Sequence, residues 1–212
     1  MSNFKLILII CLAAVSSCNL SGQENPTKQT QLVGGPCEGC EAVFEYGSKK
    51  LTAIDTLPHF EQTEPKLKLT GTVFERDGRT PAENVIIYIY QTNRAGLYVP
   101  HGDAKGWGRR HGVIRGWVKT DKTGQYTFYT FRPAAYPTGS ETEHIHLTIK
   151  EPNRNEYYMD SFVFEDDPLL TLKEQIKLEN RGGSGIVKPI KEELMLTARR
   201  DIILGLNIPN YD

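Results

Sequence analysis

The residues of this chain best placed to do chemistry are His144 and His146, separated by Ile145. On an extended strand, residues two apart project from one face, so both imidazoles can reach one metal ion while Ile145 enters the opposite layer. The same spacing also serves two hydrogen-bonded polar groups on a half-buried face, so the pair alone has limited specificity. Glu151 follows at a spacing that a carboxylate ligand can use, but that set needs a later histidine. The five histidines are His59, His101, His111, His144 and His146, and Glu151 stands against the turn Pro152-Asn153. Among the ten tyrosines, Tyr88, Tyr90, Tyr126, Tyr129, Tyr157 and Tyr158 read as core or strand-face residues. Tyr98 and Tyr136 sit instead in loops marked by Gly96 and Pro137, beyond strands, where a ligand can approach.

Positioning these side chains is a task for β structure. Leu67 to Phe74 alternates like a strand, Asp77-Gly78 marks a turn, and Asn84 to Gln91 is dense in β-branched and aromatic residues. Arg115 to Lys119 and Gln125 to Arg132 flank Asp121-Lys122-Thr123-Gly124, which predicts a hairpin-like turn. His144 to Lys150 and Tyr157 to Phe164 supply further strands. Leu169 to Glu179 predicts a short helix, Asn180 to Gly185 a loop, and Glu193 to Leu206 fits helix or strand. The expectation is an all-β Greek-key β-sandwich with long loops and little helix. At 212 residues, the chain holds one such core and an export segment.

A formal charge of -1 with interspersed signs argues against nucleic acid as a partner. Lys5 and the apolar run Leu6 to Val15 read as an export signal, too short for a permanent span. Ser16-Ser17-Cys18 resembles a bacterial lipobox, which implies a signal over 1–17, a lipidated Cys18 that holds the protein to the membrane, and a polar tether through 33. The domain would then occupy 34–212, outside the cytoplasm in the cell envelope. Cys37 and Cys40 fit a small disulfide loop or a free pair.

Three stretches carry a resemblance to the intradiol ring-cleavage dioxygenases, the family of protocatechuate and catechol dioxygenases. Tyr90 to Tyr98 (YQTNRAGLY) is similar to the family's strand end and Gly-x-Tyr loop. Thr120 to Phe128 with Arg132 to Pro137 (RPAAYP) is similar to its turn and Tyr-Pro loop, and His144-Ile145-His146 to its histidine pair. The resemblance implies Fe(III) held by Tyr98, Tyr136, His144 and His146, with an aromatic diol and dioxygen as substrates. Tyr136 would be the ligand that leaves and takes a substrate proton, and the ring would open between its hydroxylated carbons to a muconate-type diacid. Family members form varied assemblies, so a homo-oligomer is compatible with the resemblance.

Two positions depart from the family pattern. Glu141 stands where members usually carry an arginine three residues before the first histidine, and Ser161 aligns with a usual glutamine. An ionised glutamate donates no hydrogen bond and repels a catecholate dianion. Arg110 and Arg115 are therefore the candidates to supply positive charge from another direction, with Arg132 beside them. A second reading is a lipid-tethered module that binds a catechol or ferric ligand without turnover. A third is a purely structural sandwich resembling transthyretin-like accessory domains.

Overall fold

A computed structural model describes residues 32–212; the export signal, Cys18 and most of the tether lie outside the described residues. The strands are β1 (Ile54–Thr56), β2 (Lys66–Phe74), β3 (Ile86–Gln91), β4 (Arg115–Lys119), β5 (Gln125–Phe131) and β6 (His144–Lys150). They continue with β7 (Tyr157–Phe164), β8 (Ile186–Val187), β9 (Ile190–Glu192), β10 (Met195–Arg199) and β11 (Ile202–Ile203). One sheet runs β1-β5-β2-β10-β9, with β11 also on β2, and the other runs β4-β3-β6-β7-β8. Helices α1 (Gly108–His111) and α2 (Leu172–Ile176) and the 3-10 helix Cys40–Phe44 are short.

Alternation explains the sandwich. Leu67, Leu69 and Val73 of β2 and Tyr126 and Phe128 of β5 face Ile87, Ile89, Ile145, Leu147 and Ile149 of the second sheet in one core. Each fully buried aliphatic or aromatic side chain contributes roughly 1.5–3 kcal/mol. Gln91, almost fully buried, ties the layers together: its amide donates to the Phe131 carbonyl at 2.8 Å and accepts from Thr130 Oγ1 at 2.9 Å.

The turn after β4 corrects one expectation. Asp121 Oδ1 accepts from the Thr123 amide and Gly124 adopts φ 69°, so the turn chemistry is as read. The flanking strands nevertheless go to opposite sheets, β4 against β3 and β5 against β2, so no hairpin forms. The predicted helix shrinks to Leu172–Ile176, capped by Thr171, because its apolar residues Leu172 and Ile176 are exposed and nothing holds a longer one. The tail resolves as strand, with β10 parallel to β2. The fold takes hold at Val33, one residue before Gly34: Val33 lies in the core and exchanges two hydrogen bonds with the Asn155 side chain.

Candidate metal centre

Because Ile145, Leu147 and Ile149 fill the core, His144 and His146 must project from the outer face of the second sheet. His144 Nδ1 donates to the Thr142 carbonyl at 2.7 Å, which turns Nε2 outward with its lone pair free in the neutral ring. Opposite His146, β7 carries one extra residue between its pairings of Phe162 with Ile145 and Met159 with Leu147. Such a bulge bends the strand and re-aims its side chains, and Ser161 lines the cavity beside both histidines.

Tyr98 and Tyr136 arrive on two loops that lock to each other. Thr92 Oγ1 donates to the Ala134 carbonyl at 2.7 Å, and the Arg94 guanidinium donates to the carbonyls of Arg132 and Pro133, each at 3.0 Å. Asn93 Oδ1 accepts from the amides of Ala95 and Leu97, closing the first loop. Gly96, at φ 74°, lets the loops touch, since a Cβ there would lie 2.2 Å from the Ala135 carbonyl oxygen.

The outcome is a closed ring of four heteroatoms. Tyr98 Oη lies 2.9 Å from Tyr136 Oη, Tyr136 Oη 3.2 Å from His144 Nε2, His144 Nε2 3.1 Å from His146 Nε2, and His146 Nε2 2.9 Å from Tyr98 Oη. With His144 protonated at Nδ1, two phenols and one imidazole offer at most three protons for four edges. One close contact is therefore left between bare lone pairs. A cation at the centre removes that conflict. A square with these edges has corners about 2.1 Å from its centre, within the roughly 2.0–2.2 Å of ordinary metal bonds to nitrogen and oxygen. Among the described residues no three His, Cys, Asp or Glu side chains converge, so a metal site of this kind must draw on tyrosine oxygens.

The environment shapes each group. Burial, then the hydrogen bond with Tyr136, pushes the Tyr98 phenol well above its ordinary value. Burial also raises Tyr136, with Glu141 adding in the same direction against a lowering hydrogen bond from Tyr98. Burial and the neighbouring His144 and His111 hold His146 well below the usual imidazole range, so it stays neutral with a lone pair to offer.

Behind His146 runs a stack of rings that the sequence did not reveal. Tyr90 pairs with His146 across the strands and stacks on it at 4.3 Å, while its other face stacks on His111 at 3.8 Å, the planes within 4°. Trp107 closes the stack on His111 at 5.2 Å. His111 shares a 2.9 Å hydrogen bond with Tyr88 and is pushed down to about 4 by burial and by Arg115. The bonded Cys37–Cys40 loop lies on top: Gly39, at φ 87°, leaves no room for a Cβ against His111. The signal was the matched i, i+2 spacing of Tyr88 and Tyr90 with His144 and His146.

The arginines expected near the site are engaged elsewhere. Arg115 bonds Glu45 at 2.6 Å, and Glu45 also accepts from the Trp107 amide. Arg110 pairs with Glu38 at the surface and lies over Trp107. Arg132 bonds Glu143 at 2.5 Å and Asp166 at 2.8 Å. None of the three makes a hydrogen bond to the four-atom ring. His144, His146, Ser161 and Glu141 instead line a cleft of about 420 Å³.

A family model described as Dioxygenase matches residues 45–201. The chain belongs to the intradiol ring-cleavage dioxygenases. Members of this family act on aromatic diols with dioxygen and generally use Fe(III). The protocatechuate 3,4-dioxygenase beta chain of Burkholderia cepacia is 29% identical over 137 residues, covering 59% of this chain. The match spans 58% of that relative's length. Among solved structures, the dioxygenase domain of a carbohydrate-binding fusion protein from Streptomyces sp. SirexAA-E superposes with a TM-score of 0.53 at 20% identity, over 74% of this chain and 94% of that one. The intradiol ring-cleavage dioxygenase of Tetranychus urticae gives 0.52 at 17% identity, over 82% and 92%. At these identities the structural matches speak for the fold, which is the two-sheet sandwich described above.

Proposed function

We propose that this intradiol dioxygenase binds Fe(III) through Tyr98, Tyr136, His144 and His146 and cleaves a catechol-type diol with dioxygen to a muconate-type diacid. The observation that carries the reading is the closed ring of two phenol oxygens and two imidazole nitrogens beside an open cleft. When bound, ferric iron supplies the Lewis acidity that makes phenolates and a diol dianion accessible near neutral pH. His144 and His146 stay fixed by their strand, and Tyr90 holds the plane of His146. Tyr136 leads into the exposed run Pro137 to Glu141, so its side chain, a phenolate while it holds the metal, would have room to turn away and take a hydroxyl proton from the diol, becoming a phenol. Met159, Val163, Leu170 and Leu178 offer the ring an apolar wall in the cleft.

Export and attachment through Cys18 belong to the same proposal, and the Cys37–Cys40 disulfide fits an oxidising compartment. One observation favours the second reading, a binding module without turnover: Arg110, Arg115 and Arg132 are each already paired with carboxylates. Iron content, the visible spectrum and catechol consumption under oxygen separate the two. Stoichiometric iron, a phenolate-to-iron band that shifts in Tyr136→Phe, and formation of a diacid support the enzyme. Iron and the band without product support the binding module, and a colourless protein that retains no iron defeats both.

A further inference from the structure

We infer that the cleft beside His144 and His146 selects diols by the charge of their ring substituent, favouring an ammonium group over a carboxylate, and that Glu141 sets this preference. The inference rests on the functional reading above. Lys177 is the cation that lines the cleft, and it and four arginines around the site are each paired with a carboxylate. Arg110 pairs with Glu38, Arg115 with Glu45, Arg132 with Glu143 and Asp166, Lys177 with Glu174, and Arg181 with Glu179. Asp160, also on the cleft, turns one carboxylate oxygen to the Asn180 amide at 2.7 Å.

Glu141 is different. It lines the same cleft as the two histidines, is exposed, and has no ion-pair partner among the described residues. Asp160 has the buried Arg200 guanidinium behind it, donating to the Asp160 carbonyl, so among the described residues Glu141 is the cleft carboxylate left without a cation. A substituent carboxylate entering here meets repulsion and finds no guanidinium to receive it. A substituent ammonium meets a carboxylate that nothing else engages, across water-exposed space where screening keeps the attraction moderate. At about 6 Å and a dielectric between 40 and 80, Coulomb's law gives a preference of roughly three- to tenfold for the cation, with the opposite sign for the anion.

The test uses the full-length protein loaded with iron and two non-cleavable monophenols of equal length, one bearing an aminoethyl group and one a carboxyethyl group. Dissociation constants are measured by displacement of the visible band and by calorimetry, beside catechol turnover. The wild type is expected to bind the amine more tightly, Glu141→Gln to shrink the amine-to-acid ratio roughly ten- to hundredfold, and Glu141→Lys to reverse it. Raising salt should narrow the wild-type ratio. Equal binding of the two probes, no measurable binding of either, or a ratio untouched in both variants overturns the inference even if catechol is cleaved. Charge-ordered binding without catechol cleavage leaves the inference standing and removes the ring-cleavage reading instead. Thermal unfolding of each variant confirms that the exposed position has not altered the fold.

Discussion

On the proposed reading, the two phenols in the four-atom ring make a quantitative demand on iron binding. Burial holds Tyr98 and Tyr136 above the ordinary tyrosine value, so near neutral pH both are protonated before metal arrives. Each must release one proton to ligate as phenolate. A phenol of pKa about 10 resists ionisation at pH 7 by about 4 kcal/mol, so the pair opposes binding by at least about 8 kcal/mol. The sign follows from linkage: bound metal favours the deprotonated form, so affinity climbs tenfold per pH unit for each phenol. His146 is already neutral in this range and adds no proton. In competition with a chelator between about pH 7 and 8.5, Tyr98→Phe and Tyr136→Phe should each lower the slope of log affinity against pH by one. Protons exchanged by the chelator or by bound hydroxide are shared by wild type and variant and cancel in that difference. Parallel slopes would refute the assignment of phenolate ligands, whatever happened to affinity itself.

Two further outcomes test the surroundings of the site. Tyr90→Leu removes the ring stacks on His146 and His111, each about 0.5–1.5 kcal/mol. Iron retention against a chelator should fall roughly tenfold or more, as when other groups that orient a ligand are lost; retention equal to wild type would show that the stack does not orient His146. Arg115→Gln breaks the contact with Glu45, whose other oxygen holds the Trp107 amide, so the denaturant midpoint should drop by an equivalent of about 1–3 kcal/mol with KM for the diol unchanged. Reduced kcat at wild-type stability would instead give Arg115 a catalytic role.

How much could be read from the sequence depended on whether one strand carried its own pattern. His144 to Lys150 and Tyr157 to Phe164 were legible to the residue because core-facing Ile, Leu and aromatic residues alternate there with outward ones, in the second strand on either side of its bulge. β9 was illegible because all three of its residues are exposed, and β10 because its first three are only partly buried. β10 exists through pairing with β2, a contact about 130 residues distant in the chain that no local periodicity records, and β9 exists through pairing with β10. The turn after β4 failed for a related reason: Asp121 and Gly124 specify a reversal, and a reversal serves a crossing between sheets as well as a hairpin. That Tyr98, Tyr136, His144 and His146 gather at one place was legible through motif order. The ion pairs of Arg110 and Arg115 were not, because Glu38 and Glu45, their partners, lie 72 and 70 residues away.

The ring of donors divides into a rigid half and a compliant half, and the division follows from where each residue sits. His144 and His146 cannot shift without Ile145 and Leu147 leaving the core, because a one-residue slip of β6 would carry the imidazoles inward and the aliphatic residues out. Tyr98 and Tyr136 depend on loops, yet the loops are fastened to one another through Thr92, Arg94 and the carbonyls from Arg132 to Ala134. That fastening ends at Ala134, and beyond Tyr136 the chain is exposed until Thr142. Leu97 and Val99, on either side of Tyr98, are tied by backbone hydrogen bonds to Asn93 and Val113, so Tyr136 has the less fastened flank, on the side where Glu141 meets solvent and the cleft opens. On the proposed reading, a ligand that departs when a diol enters is best placed on that segment, and the three that would stay are held by the core, by ring stacking or by the interlocked loops.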